Sequence, residues 1–95
     1  MKTNNKITKE KINKYFNLTE TALKEIKKHI IKGKEKEAKE IISMAENYVS
    51  DAHHFFDKGN WINCFAALNY SHGWIDSGVR LEIFNVTDDK LFTVV

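Results

Sequence analysis

The sequence predicts an all-α fold: a three-helix bundle of up-down-up topology with a short extended C-terminal tail. Three observations carry this. The 95 residues contain no proline and only four glycines, Gly33, Gly59, Gly73 and Gly78, whereas a turn-rich β-protein needs many of both. Apolar residues recur in steps of four and three, the spacing that lines one side of a helix. Gly33 and Gly59 fall between those stretches, where helices end. A chain of this length makes a single helical domain, taken here as residues 1–95, and buries only about 60–65% of its unfolded surface.

The first helix is expected from about Thr8, a side chain suited to an N-cap, to Ile31. Its stripe is Ile12, Phe16, Thr19, Leu23, Ile26 and Ile30. Glu10–Lys14 and Glu20–Lys24 place acid before base at i,i+4 on the outer side. The second helix is expected from about Lys36 to Asp57, with the stripe Ala38, Ile42, Ala45, Val49, Ala52 and Phe56. Three alanines on that stripe let a neighbouring helix approach closely. Gly59 stops the second helix and Asn60 caps the third.

The third helix is expected from Trp61 to about Phe84. Trp61, Phe65, Leu68, Ile75, Val79 and Ile83 share one arc of it, and Ala67, Tyr70, Trp74 and Leu81 lie mostly across from that arc. A helix that is apolar on two sides is central or meets a second chain. In a three-helix bundle each helix already touches both others, so the second side points to self-association. The tail, residues 85–95, turns at Asp88-Asp89 and ends in the β-like run Leu91 to Val95. It either lies back over the bundle or pairs as a strand with another chain.

Charge and cysteine content narrow the function classes. Residues 1–40 carry 12 Lys and 6 Glu, a net +6; residues 41–95 carry two Lys and one Arg against five Asp and two Glu, a net −4. The lysines alternate with glutamates and form no single-sign block, which reads as a solvated helix face. Arginine, the preferred reader of phosphate and bases, occurs once, at Arg80. Cys64 is the only cysteine, which excludes an intramolecular disulfide and a cysteine metal cluster. No stretch reads as a signal peptide or membrane span, so the expected location is cytoplasmic.

One polar line stands out. Asn69, His72, Asp76 and Arg80 step by three, four and four, and therefore share a strip of the third helix. His72 falls within the apolar arc. If the second and third helices form a hairpin around Gly59, Glu46 comes level with His72, and Glu46, His72 and Asp76 converge. Such a set resembles a bundle metal site in outline, although neither helix carries an inward Glu-x-x-His pair. A structural hydrogen-bond network is the plainer reading. No nucleophile stands beside a base on one face, and no Gly-rich phosphate loop occurs. Gly73 and Gly78 each cost about 1 kcal/mol relative to alanine inside a helix, which calls for close approach of a side chain, a backbone or a ligand.

The segment YVSDAHHFFDKGNWINCFAALNYSHGWIDSGVRLEIF, residues 48–84, resembles the archaeal domain of unknown function 357 family. Its signature here is Tyr70, His72, Gly73, Trp74, Asp76 and Gly78, with Ser71 and Ser77 where alanine is usual. The resemblance implies a compact three-helix domain of an archaeal cytoplasm and supplies no catalytic residue. The turn around Gly59 is also similar to a tetratricopeptide hairpin, but the 34-residue repeat is absent.

The function expected from these readings is a non-enzymatic protein-interaction or self-associating module. It takes a protein partner or a second copy, and neither a cofactor, a metal, nucleic acid nor a membrane. The alternative is a small-molecule or metal-binding domain using Glu46, His72 and Asp76. A third reading is weak RNA binding through the Lys-rich first helix.

Overall fold

The computed structural model describes residues 3–92 and has three helices, α1 (Lys9–Lys28), α2 (Glu35–Asp57) and α3 (Trp61–Arg80). They make an all-α fold, and an isolated bridge between Ile30 and Phe84 is the only β-type pairing among the described residues. The expected start of α1 is met: the Thr8 hydroxyl accepts from the Lys11 amide at 3.1 Å. The start of α3 is met as well, because the Asn60 side chain accepts from the Asn63 amide at 3.2 Å. Between α2 and α3, Gly59 has φ +74°, a left-handed conformation that glycine reaches without a Cβ penalty.

Helices α2 and α3 form the most extensive pair and α1 packs across both. Small residues make that pair close. Ala38, Ala45 and Ala52 on α2 are fully buried, as are Cys64 and Ser71 on α3, and Gly78 is buried too. The Ser71 hydroxyl donates to the Ala45 carbonyl at 2.8 Å, which places Ser71 level with Ala45. Steps of seven residues in both helices carry that antiparallel register to Ala52 with Cys64 and to Ala38 with Gly78. The apolar arc expected on α3 is therefore rotated. Its deepest residues include Cys64, Ala67, Ser71 and Gly78, while Trp61 and Phe65 sit half-buried at the edge. Backbones this close leave room only for small side chains, and large ones move to the flanks.

Both outer helices stop earlier than expected, for one reason. Ile31 donates its amide to the Ile83 carbonyl (3.0 Å) and Asn85 donates to the His29 carbonyl (2.8 Å). Pairing the two linkers in extended form ends α1 at Lys28 rather than Ile31 and α3 at Arg80 rather than Phe84. The α3 end is a Schellman motif: Glu82 donates to Val79 (3.1 Å) and Ile83 to Gly78 (2.9 Å), with Glu82 at φ 60°. Glycine is the usual residue there, and its absence hid the stop. Glu82→Gly should raise stability by about 0.5–1 kcal/mol; chemical denaturation checks this, and an unchanged midpoint would count against strain at that position.

The segment after α3 returns over the bundle, as one of the two tail readings expected. Ile83, Phe84 and Phe92 are buried, and Val86 and Leu91 pack against the same cluster as Ile26, Ile41 and Ile75. Asp88 forms the expected turn, accepting from the Lys90 amide at its side chain (2.9 Å) and from the Phe92 amide at its carbonyl (3.0 Å). The remainder of the β-like run, residues 93–95, lies outside the described residues.

Candidate functional site

His72 is where α1, α3 and the tail meet. Its Nε2 lies 2.6 Å from the Leu91 carbonyl oxygen. A carbonyl only accepts, so Nε2 carries the proton and donates. Its Nδ1 lies 3.2 Å from the Thr19 hydroxyl, and in the neutral ring that hydroxyl donates to it. Thr19 is buried on the α1 stripe. Asp76 lies one turn further along α3, its Oδ1 3.8 Å from Nε2. That separation exceeds a hydrogen bond, and the imidazole's two nitrogens are already engaged by Leu91 and Thr19. The His72–Asp76 neighbourhood expected from spacing is present, and its principal role is to join three segments.

Glu46 does not join them. It pairs with Lys27 at 2.7 Å, an exposed ion pair across the α1–α2 groove, where Glu20 also meets His53 at 2.9 Å. His72 and Asp76 line the opposite groove, between α1 and α3, with Tyr15, Leu18, Asn69 and Gly73. Helix α1 lies between the two sets. The hairpin register brought Glu46 to the right level, since its neighbour Ala45 meets Ser71. Consecutive residues diverge by about 100° around a helix, so level alone did not set the side. Among the described residues no three His, Cys, Asp or Glu side chains gather as a metal-binding group.

The other members of the polar line are exposed. Asn69 stands at the rim of the α1–α3 groove, and Arg80 lies exposed at the end of α3. The potential nucleophiles are committed elsewhere. Ser71 is buried against Ala45, Ser77 donates to the Gly73 carbonyl at 2.8 Å, and Cys64 is fully buried. Desolvation there pushes the Cys64 thiol above its ordinary pKa, which keeps it protonated and unreactive.

The two helical glycines differ in kind. A Cβ on Gly78 would stand 2.5 Å from Phe84 Cε2 and 3.0 Å from Ile41 Cδ1; the Phe84 ring packs directly on the α3 backbone. A Cβ on Gly73 would meet nothing within 4 Å. Gly73 instead lies at the floor of an open hollow lined by Asn69, Tyr70, Trp74 and Ser77. Packing inside this chain explains Gly78 and leaves Gly73 unexplained. Gly73→Ala should therefore stabilise the fold by about 0.5–1 kcal/mol through helix propensity, measured by thermal melting at low protein concentration; a loss of stability would reveal an intrachain constraint.

The exposed face of α3 continues from that hollow. Ile62, Tyr70 and Leu81 are 73%, 59% and 68% exposed. Tyr70 leans on Tyr48 of α2, ring centroids 4.6 Å apart. The apolar second side expected on α3 is thus narrower than the wheel indicated: Ala67 is buried and Trp74 is half-buried against the core, while Tyr70 and Leu81 remain in solvent and Ile62 joins them. Ser71, Thr19 and Leu91 were not singled out in the sequence as partners. The available signal was a polar residue inside each apolar stripe, Thr19 on α1 and Ser71 on α3.

A family model described as a protein of unknown function (DUF357) matches residues 14–84. Neither a curated protein nor a solved structure matches the chain.

Proposed function

As the chain belongs to the DUF357 family of proteins of unknown function, its role must be read from its own surface, and we propose that it is a non-enzymatic helical module that binds protein through the outward face of α3. The observation that carries this is the exposure of three large apolar side chains, Ile62, Tyr70 and Leu81, along one helix. Scattered single apolar residues are ordinary on a surface, but a contiguous set of this kind marks an interaction site. The thinness of the body, 16 Å along its shortest axis, supports the reading, because a helix is about 10–12 Å across with its side chains and one side of α3 stays uncovered. The engagement of His72 with Thr19 and Leu91, and the burial of Ser71 and Cys64, support a structural rather than catalytic interior. No helix among the described residues is long and apolar enough to cross a membrane.

Site-specific photo-cross-linking in cells tests this. A probe at Tyr70 is expected to yield one discrete adduct, identified by mass spectrometry as this chain or a defined second protein. The same probe at Lys39, an exposed position on α2, is expected to yield none. Equal labelling at both positions, or none at either, overturns the proposal.

A further inference from the structure

The shape of the α3 face names its occupant. We propose that two copies of this chain pair through α3, antiparallel, about a two-fold axis at the level of Ser71 and His72, with Tyr70 of each copy seated in the Gly73 hollow of the other. This rests on the reading of α3 as the binding face and specifies the partner as a second copy.

Size complementarity comes first. In an antiparallel pair with that axis, Tyr70 meets Gly73, Ala66 meets Ser77, and Ile62 meets Leu81, each contact made twice by symmetry. Tyr70 and Gly73 lie about 60° apart around α3, one on each side of the face's midline, the offset by which knobs enter holes. Nothing in the chain itself occupies the space over Gly73. A single register thus gives the largest exposed ring a vacant hollow and covers both exposed aliphatic side chains with each other. All three of α3's large exposed apolar residues are accounted for at once.

Charge comes second. In a chain with 29% charged residues, the open face from Ile62 to Ser77 consists of Ile62, Asn63, Ala66, Asn69, Tyr70, Gly73 and Ser77, none of them charged. A face meant for a charged partner carries complementary charge. A face meant for itself must avoid like charges across the two-fold, and this one does. The tail bounds the face on one flank, where Leu91 binds His72, and α2 bounds it on the other through Tyr48. Both flanks leave the midline open.

Cross-linking tests the register. Ile62→Cys and Leu81→Cys chains are prepared separately and mixed under mild oxidation; native Cys64 is fully buried and does not compete. The mixture is expected to give a covalent dimer, and each variant alone is not, because like positions would stand roughly 28 Å apart where a disulfide needs Cα atoms within about 7 Å. Light scattering over a concentration series is expected to show a monomer–dimer equilibrium. Gly73→Leu, which the fold accommodates without contact, should weaken it about tenfold or more. Homotypic cross-links overturn the antiparallel register, as does an unchanged equilibrium for Gly73→Leu. A monomer at every concentration up to about 1 mM overturns pairing altogether. In each case the photo-cross-link at Tyr70 stands or falls separately, so failure of the pairing is distinct from failure of α3 as a binding face.

Discussion

Phe84→Ala is expected to destabilise the fold by about 3–5 kcal/mol, the cost of emptying a buried aromatic site. Against a total of about 5–15 kcal/mol for a domain, this would lower the melting temperature by roughly 15–30 °C. Phe84 is 2% exposed, lies in the bridge with Ile30 and covers the backbone of Gly78. Its loss removes the plug that holds the α1–α2 linker, the α3 terminus and the α2 side chain Ile41 together. Circular dichroism melts check the magnitude. A double-mutant cycle checks the cause. Gly78→Ala alone should cost about 1 kcal/mol, overpacking against Phe84 exceeding the gain in helix propensity. On the Phe84→Ala background the added methyl has room, and the same change should become neutral or stabilising. Additive effects would mean that the two residues do not oppose one another across this contact.

His72→Ala is expected to cost about 1–3 kcal/mol, because it strands the Thr19 hydroxyl in a buried site and leaves the Leu91 carbonyl without its donor. The structural consequence is local as well as global. Hydrogen exchange should show the amides of residues 85–92 losing protection first, Phe92 among them, since His72 is the hydrogen-bonding tie between the tail and α3. Thr19→Val should cost less and should couple to His72→Ala in a cycle by about 0.5 kcal/mol or more. Unchanged protection of the tail in His72→Ala would show that Phe92 and Leu91 hold it by packing alone.

Much of the architecture was legible because its causes are local. Thr8, Gly59 and Asn60 mark helix ends by their own chemistry, and the four-three stripes of α1 and α2 name their buried faces. The premature end of α3 was not legible. It rests on Glu82 in a conformation usually held by glycine and on a pairing with His29–Ile31, residues distant in sequence. The candidate site divides in the same way. The i,i+4 step from His72 to Asp76 brings them to one strip of any helix. The placement of Glu46 depends on which side of α1 it falls, and no pattern within α2 encodes that.

The sequence by itself determined the number of helices, their order, two of their caps and the neighbours within each, since all of these follow from the 3.6-residue period and from the backbone preferences of single residues. It also determined that Gly73 and Gly78 needed reasons. Only the tertiary structure decided what those reasons were. Gly78 makes room for Phe84, a contact between a helix and the chain that leaves it. Gly73 makes room for nothing in this chain and opens a hollow on the bare face of α3. Both outcomes depend on the rotation of α3 against α2, set by the bond from Ser71 to Ala45 and the small residues seven apart on each helix, and rotation is a property of two packed surfaces that neither helix carries alone.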